Sequence, residues 1–197
     1  VESEAGRAGQ MNAGAAQAKG DMLLFLHADS QLAPDTLKSL HDFARPGSWG
    51  SFRFRIGAEH PALRIIEVSA NWRAKWLRIP YGDQGIFCSR DLFEAVGGYA
   101  DTPLLEDVLL ARHLNRITRP HQLPGPITTD ARRWLKRGIW KTTWLNWRIM
   151  WHFYRGTHSL QELADLYSLI AEDCRGDGAC RRGEATARRE RVKVAGR

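Results

Sequence analysis

Residues 22–30 read Met22-Leu23-Leu24-Phe25-Leu26-His27-Ala28-Asp29-Ser30, and the fold turns on how that stretch is taken. Five apolar residues run unbroken from Met22 to Leu26, bounded by Gly20 and Asp21 on one side and by Asp29 and Ser30 on the other. A short greasy run between turn residues is the mark of a strand covered on both faces of a parallel sheet. In open α/β sheets ligands collect beyond the carboxyl ends of the strands, so Asp29 stands where a metal or phosphate partner would be placed. His27, two residues earlier, lies on the same side of the pleat. A plainer reading of Asp29, that it only begins the turn into a helix opened by Pro34, stays open at this point.

The chain has 197 residues, 43% of them hydrophobic, which is enough for one domain with a proper core and a squeeze for two. No uncharged apolar run approaches the roughly 18 residues of a membrane-spanning helix, and the start lacks the basic-then-apolar order of a signal peptide. The expectation is therefore a cytoplasmic protein, at most held at the inner face of the membrane. Cys88, Cys174 and Cys180 include no C-x-x-C pair, which speaks against a disulfide framework or a zinc site. The net charge of +7 is unevenly spread: residues 174–197 hold eight Arg or Lys against three Asp or Glu, leaving only +2 for the first 173. The reading is a domain over 1–170 and a basic tail over 171–197, too poor in bulk to order itself. Such a tail binds anionic surfaces without selectivity, so no specific nucleic acid partner is indicated.

Along the chain, alanines at 13, 15, 16 and 18 suggest a short helix over 10–19. No strand precedes it. A nucleotide-binding sheet normally opens with one, so an N-terminal strand-helix-strand portion is expected to be missing. Pro34 fits the first turn of a helix over 34–44 with Leu37, Leu40 and Phe43 facing a core. Phe52, Phe54 and Ile56 alternate with Arg53 and Arg55, the period of a half-buried strand over Trp49–Ile56. Residues 61–78 read as one long helix. Gly82 and Gly85 make 81–85 a loop, followed by a strand over 86–88 and a helix capped by Ser89 that ends at Gly97 and Gly98. The next helix opens on Glu106 and Asp107 and turns Val108, Leu109, Ala111, Leu114 and Ile117 inward; two acids in a first turn suit the helix dipole, so simple capping is one account of them. Residues 124–129 resemble a short edge strand. In the helix over 139–154, Trp140, Trp144, Trp147, Trp151 and Tyr154 form a stripe, with Lys141, Arg148 and Arg155 elsewhere. That stripe either packs on the domain or lies in a membrane interface.

Five segments now line up. Gly6-Arg7-Ala8-Gly9-Gln10-Met11-Asn12-Ala13-Gly14-Ala15, the run 24–30, Gly82-Asp83-Gln84-Gly85, Leu105-Glu106-Asp107-Val108 and Ala131-Arg132-Arg133-Trp134 together resemble a family 2 glycosyltransferase. They look most like a small bacterial subgroup with His-Ala-Asp in place of Asp-x-Asp. Each motif is weak by itself, but five in order over about residues 1–168 are specific. The resemblance implies an α/β GT-A fold: a Rossmann-like, mostly parallel sheet flanked by helices, lacking here its N-terminal strand-helix-strand portion. It also implies transfer of a sugar from a nucleotide-diphosphate sugar to an acceptor hydroxyl, with inversion and with the help of Mg²⁺ or Mn²⁺.

By the resemblance, Asp29 is a metal ligand, and His27 departs from the motif. An imidazole there suits Mn²⁺ better than Mg²⁺ or else meets the nucleotide. Arg7, Gln10 and Asn12 belong to the cofactor-binding motif, and Gly82, Asp83 and Gln84 to a substrate loop. Asp107 matches the catalytic base, with Glu106 in support. Arg133 and Trp134 match the end of a Gln-x-x-Arg-Trp motif whose Gln is replaced by Asp130. They are assigned to diphosphate contact and acceptor stacking, and the damaged motif argues against polymer synthesis. The acceptor is open and could be lipid-linked. Two other readings remain: a sugar-nucleotide pyrophosphorylase, which would need a glycine-rich loop absent from this chain, and a non-catalytic module built on the Trp stripe and basic tail, which leaves Asp29 and Asp107 without a role.

Overall fold

The computed structural model describes residues 6–172, in two compact units: residues 6–101 with 106–131, and residues 102–105 with 132–172. The first unit comprises α1 (Arg7–Gln17), β1 (Met22–Phe25), β2 (Ser30–Leu32), α2 (Pro34–Phe43), β3 (Trp49–Ile56), α3 (Pro61–Trp72), β4 (Ile86–Ser89), α4 (Arg90–Ala95), α5 (Glu106–Ile117) and β5 (His121–Thr129). A π-helical turn, Arg73–Leu77, prolongs α3, and a 3-10 turn, Gly82–Gln84, leads into β4. The second unit holds α6 (Arg132–Arg137), α7 (Ile139–Arg155) and α8 (Leu160–Glu172).

The sheet order is β1-β4-β3-β5-β2. Only β3 and β5 run parallel; β4 is antiparallel to both β1 and β3, and β2 is antiparallel to β5. The sheet is thus mixed, and the expectation of a mostly parallel one is corrected. A parallel pair needs a long crossover, and the chain from β3 to β5 supplies one, but β4 enters partway along it in the opposite sense.

The sheet also curls. β1 ends at one edge and β2 begins at the other, and the Ser30 N–H donates to the His27 carbonyl (3.0 Å) in the turn that joins them. Laid flat, edges four spacings apart would stand about 19 Å from each other. Five residues reach at most about 17 Å when extended, and a turn reaches less. Curling brings the end of β1 beside the start of β2.

Strand β1 is packed on both faces, as the apolar run requires. Leu23 and Phe25 enter a core with Ala8, Trp49, Ile86, Leu110 and Leu114, while Met22, Leu24 and Leu26 lie against a second core of Leu40, Phe52, Phe87, Leu123 and Ile127. Helices α1, α4 and α5 cover the first side, and α2 the second. The completely buried Trp49 keeps its indole N–H satisfied by the Thr118 carbonyl at 2.9 Å. Each such side chain is worth about 1.5–3 kcal/mol in water-exclusion alone.

Several expected boundaries move. Helix α1 starts at Arg7 rather than 10. The long helix over 61–78 is α3 plus the π turn, closed by Arg78 in the left-handed region at φ 60°. Helix α5 buries Leu110 and leaves Ile117 57% exposed. Strand β5 begins at His121 and is internal rather than an edge, because β2 covers its outer side; a register break between Phe52 and Arg53 absorbs Pro124 and Gly125 as a bulge.

In the second unit, α8 had no counterpart among the expected elements, although a capping box announces it: Ser159 Oγ accepts from the Glu162 N–H (3.2 Å) and Glu162 Oε2 from the Ser159 N–H (2.7 Å). Leu145, Ile149 and Leu163 form this unit's core. Helix α8 runs to Glu172, and residues 173–197 of the expected tail lie outside the described residues.

Candidate active site

Three segments far apart in sequence converge at one point in the first unit: the turn after β1, the 3-10 turn before β4 and the first turn of α5. The backbone N–H of Gly82 donates to Asp107 Oδ2 at 2.6 Å. A Cβ built on Gly82 would stand 2.5 Å from His27 Nε2 and 3.3 Å from Asp107 Oδ2. The imidazole, the glycine and the carboxylate therefore line one small space. Only a residue without a side chain lets His27 come this close, which is the physical reason for glycine at 82.

Asp107 sits half-buried in the first turn of α5, its Oδ1 accepting from the Val108 N–H at 2.7 Å. The capping account of this acid is thus correct as far as it goes. One bond per oxygen still leaves each with a second lone pair for an incoming hydroxyl. Glu106 is buried at 3% exposure, its Oε1 3.4 Å from an Arg7 guanidinium nitrogen that stays largely in solvent. Leu105, just before them, is in the left-handed region at φ 64°. A non-glycine residue there costs about 1–2 kcal/mol, strain of a kind that gathers at functional turns.

Other assigned residues are held differently. Asn12 spends its amide on the backbone of Tyr99, Nδ2 donating to the Tyr99 carbonyl and Oδ1 accepting from its N–H, both at 2.9 Å. Gln10 is half-buried on α1. Gln84 is completely buried; its Oε1 accepts from the Tyr81 N–H (3.2 Å) and from Arg73 (3.4 Å), so it braces the 3-10 turn from inside. Asp83 is half-buried on the same turn. Gly85, at φ 62°, follows it, in a conformation natural only to glycine. In the second unit, Trp134 is buried at 3% exposure with the Arg133 guanidinium 4.7 Å from its ring centroid.

Two residues enter that no motif marked. Arg73, on the π turn, stacks on Tyr81 at 3.1 Å from the ring centroid as well as reaching Gln84, and so holds both ends of the Gly82 turn. Tyr99 packs edge-on against Phe25 at 4.9 Å, and burial, then the neighbouring Cys88, Asp107 and Glu106, push its phenol well above the usual range. A lone Arg in a helix and a lone Tyr after two glycines carry no sequence signal of such roles.

Among the described residues no group of three or more His, Cys, Asp or Glu side chains is placed to hold a metal ion. Asp29 is exposed in the turn after β1 and His27 half-buried beside it. One carboxylate with one imidazole does not make a protein cage. A cation held there would need its remaining ligands from outside the chain, such as phosphate oxygens and water.

Residues 2–98 match the model of Glycosyl transferase family 2, just under half of the chain. The match supports a glycosyltransferase enzyme, and the matched family generally uses nucleotide-sugar donors and acceptors. No curated protein and no solved structure matches the chain. Arg7, Gln10, Asn12, His27, Asp29 and the Gly82 turn fall inside the matched segment; Glu106, Asp107, Arg133 and Trp134 fall beyond it.

Proposed function

We propose that this glycosyltransferase moves a sugar from a nucleoside-diphosphate sugar to an acceptor hydroxyl in a single displacement with inversion. The acceptor oxygen attacks the anomeric carbon as the bond from that carbon to the diphosphate breaks. The nucleoside diphosphate leaves with the electron pair, and Asp107 takes the hydroxyl proton. Asp29, with His27 as a second donor from the same turn, is the proposed seat of Mg²⁺ or Mn²⁺, which when bound with the donor would neutralise diphosphate charge and so improve the leaving group. Arg7 keeps Glu106 in place beside the base. Asn12 acts by fixing the backbone that carries Tyr99.

The observation that carries this reading is the meeting of His27, Gly82 and Asp107 at one point, because it joins three separately recognised motifs around a carboxylate. The partners are a nucleotide-diphosphate sugar and a hydroxyl acceptor, which we place at a cytoplasmic membrane surface and take to be lipid-linked. The α7 stripe supports that placement: Trp140, Trp144 and Trp147 are all more than half exposed rather than packed. No helix among the described residues is long and apolar enough to cross a membrane, so contact would be peripheral.

The test is Asp107→Asn against a panel of nucleotide sugars, reading nucleoside diphosphate release. Removing a positioned base costs about 10²–10⁴-fold in rate, with donor binding nearly intact. Wild-type turnover by Asp107→Asn would leave the carboxylate with its capping role alone.

A further inference from the structure

A second apolar surface lies in the first unit, on α3 and the π turn. Ile65, Val68, Trp72, Trp76 and Leu77 are between 53% and 69% exposed. Their spacing of three and four puts the first four on one side of the helix. A shallow groove of about 470 Å³ runs between Arg64, Ile65, Val68, Ser69 and Trp72. Isolated exposed apolar residues are ordinary, but a contiguous set with two tryptophans marks an interaction site.

Charge identifies the occupant. From 61 to 78 the sole acid is Glu67, which is buried and paired with Arg64 at 2.9 Å, besides accepting from the Ile56 N–H. Lys75 and Arg78 have no acid partner among the described residues, while Arg73 is turned inward onto Tyr81 and Gln84. Lys75 Nζ lies 5.5 Å from the Trp76 ring centroid, so the cation and the indole share one edge. Tryptophan beside uncompensated cations, with aliphatic residues between, is the composition of helices that lie in the headgroup region of an anionic bilayer. A protein partner would typically meet a mixed polar rim instead.

We propose that the α3 face, with its π turn, docks on a bilayer containing anionic phospholipid. The face is joined to the candidate site by Arg73, which leaves the same π turn to hold Tyr81 and Gln84 on either side of Gly82. Docking thus fixes the segment that supports Asp107 and presents it to an acceptor carried in the membrane; this last clause rests on the proposed function, and the docking itself does not.

The experiment is sedimentation of the whole chain with vesicles of phosphatidylcholine alone or mixed with phosphatidylglycerol, followed also by tryptophan fluorescence. Binding is expected to the anionic vesicles, to weaken with salt, and to fall at least about tenfold in Trp72→Ala/Trp76→Ala, where about 1.4 kcal/mol suffices. Val68→Glu, which adds repulsion at an exposed site, is expected to weaken it likewise. A Trp144→Ala/Trp147→Ala protein measures the share of α7 separately. Unchanged binding in both α3 variants, equal binding to neutral vesicles, or a self-associated state that shields Trp72 in the absence of lipid would each overturn the proposal. Donor hydrolysis without vesicles should survive in the α3 variants. Absence of donor hydrolysis by the unsubstituted chain throughout a donor panel, with its binding to anionic vesicles intact, would strike the catalytic reading and leave docking standing.

Discussion

Gly82→Ala probes the candidate site at its tightest point. The alanine Cβ would arrive 2.5 Å from His27 Nε2 and 3.3 Å from Asp107 Oδ2. Backbone strain does not enter, since Gly82 is not among the residues with positive φ. The obstruction is the tip of a side chain, which can swing away, so the fold should lose only about 1–2 kcal/mol. At about 2–4 °C per kcal/mol for a chain of this size, Tm falls by about 2–8 °C. Catalysis should suffer more, because displacing His27 and stretching the 2.6 Å bond from Gly82 to Asp107 shifts the carboxylate. Misplacement of about 1 Å costs about 10²-fold. Steady-state release of nucleoside diphosphate and thermal melting read the two effects. The control is His27→Ala/Gly82→Ala: if the imidazole is what the methyl meets, the second change recovers most of the Tm lost by the first, though not the activity. A Gly82→Ala protein that melts and turns over like the wild type would refute the convergence of these three residues. A Tm loss unrelieved by His27→Ala would refute the identity of the clash.

Asp29→Ala should abolish any cation dependence of donor binding: calorimetric titration of nucleoside diphosphates with Mn²⁺ and then with EDTA is expected to show a difference in the wild type and none in the variant, and equal affinity in the wild type under both conditions would remove the metal role. Stability should fall in alkali. Burial first, and the charge of Asp91 second, push the Cys88 thiol from 9.0 up to about 12. Below pH 9 both states keep the proton, but between 9 and 12 the unfolded chain releases one that the native state retains, so stability declines as pH rises through that window, by up to about 4 kcal/mol at its top. The buried phenol of Tyr99, also raised, acts in the same direction. Denaturant titrations from pH 8 to 11 should give Cys88→Ala a shallower decline than the wild type, and equal slopes would contradict the burial argument.

Much of the fold is legible because local pattern and burial agree. The alternation at 52–56 places Phe52, Phe54 and Ile56 inside, and the run 22–26 is covered on both faces, as their periods require. Pairing is less legible. Nothing in the residues 86–89 states that they run between β1 and β3 antiparallel to both, because a strand's direction depends on the connection that delivers it. Strand β2, three residues long, is too short for any period, and without it β5 reads as an edge. The Ser159–Glu162 capping box before α8 is a local signal of the kind that the sequence does carry.

The candidate site divides along the same line. Motif position brings His27, Gly82 and Asp107 together because each stands at the end of an element, where the chain reverses and short polar groups are left pointing at one another. Partner choice is not carried by position. Asn12 and Gln84 occupy motif positions, yet both are turned onto backbone groups of this chain, because a carboxamide with two donors and an acceptor satisfies a buried N–H as readily as a ligand. An amide buried without such partners costs more than one exposed to solvent, so where a loop must be fixed, the backbone claims the side chain first. Arg73 completes the contrast. It lies in no motif, yet it spans Tyr81 and Gln84 because the π turn widens the helix there and carries its guanidinium to the loop. Asn12 and Gln84 are thus claimed by backbone N–H groups that the fold leaves unpaired, and Arg73 by the side chains beside them, both properties of the folded chain.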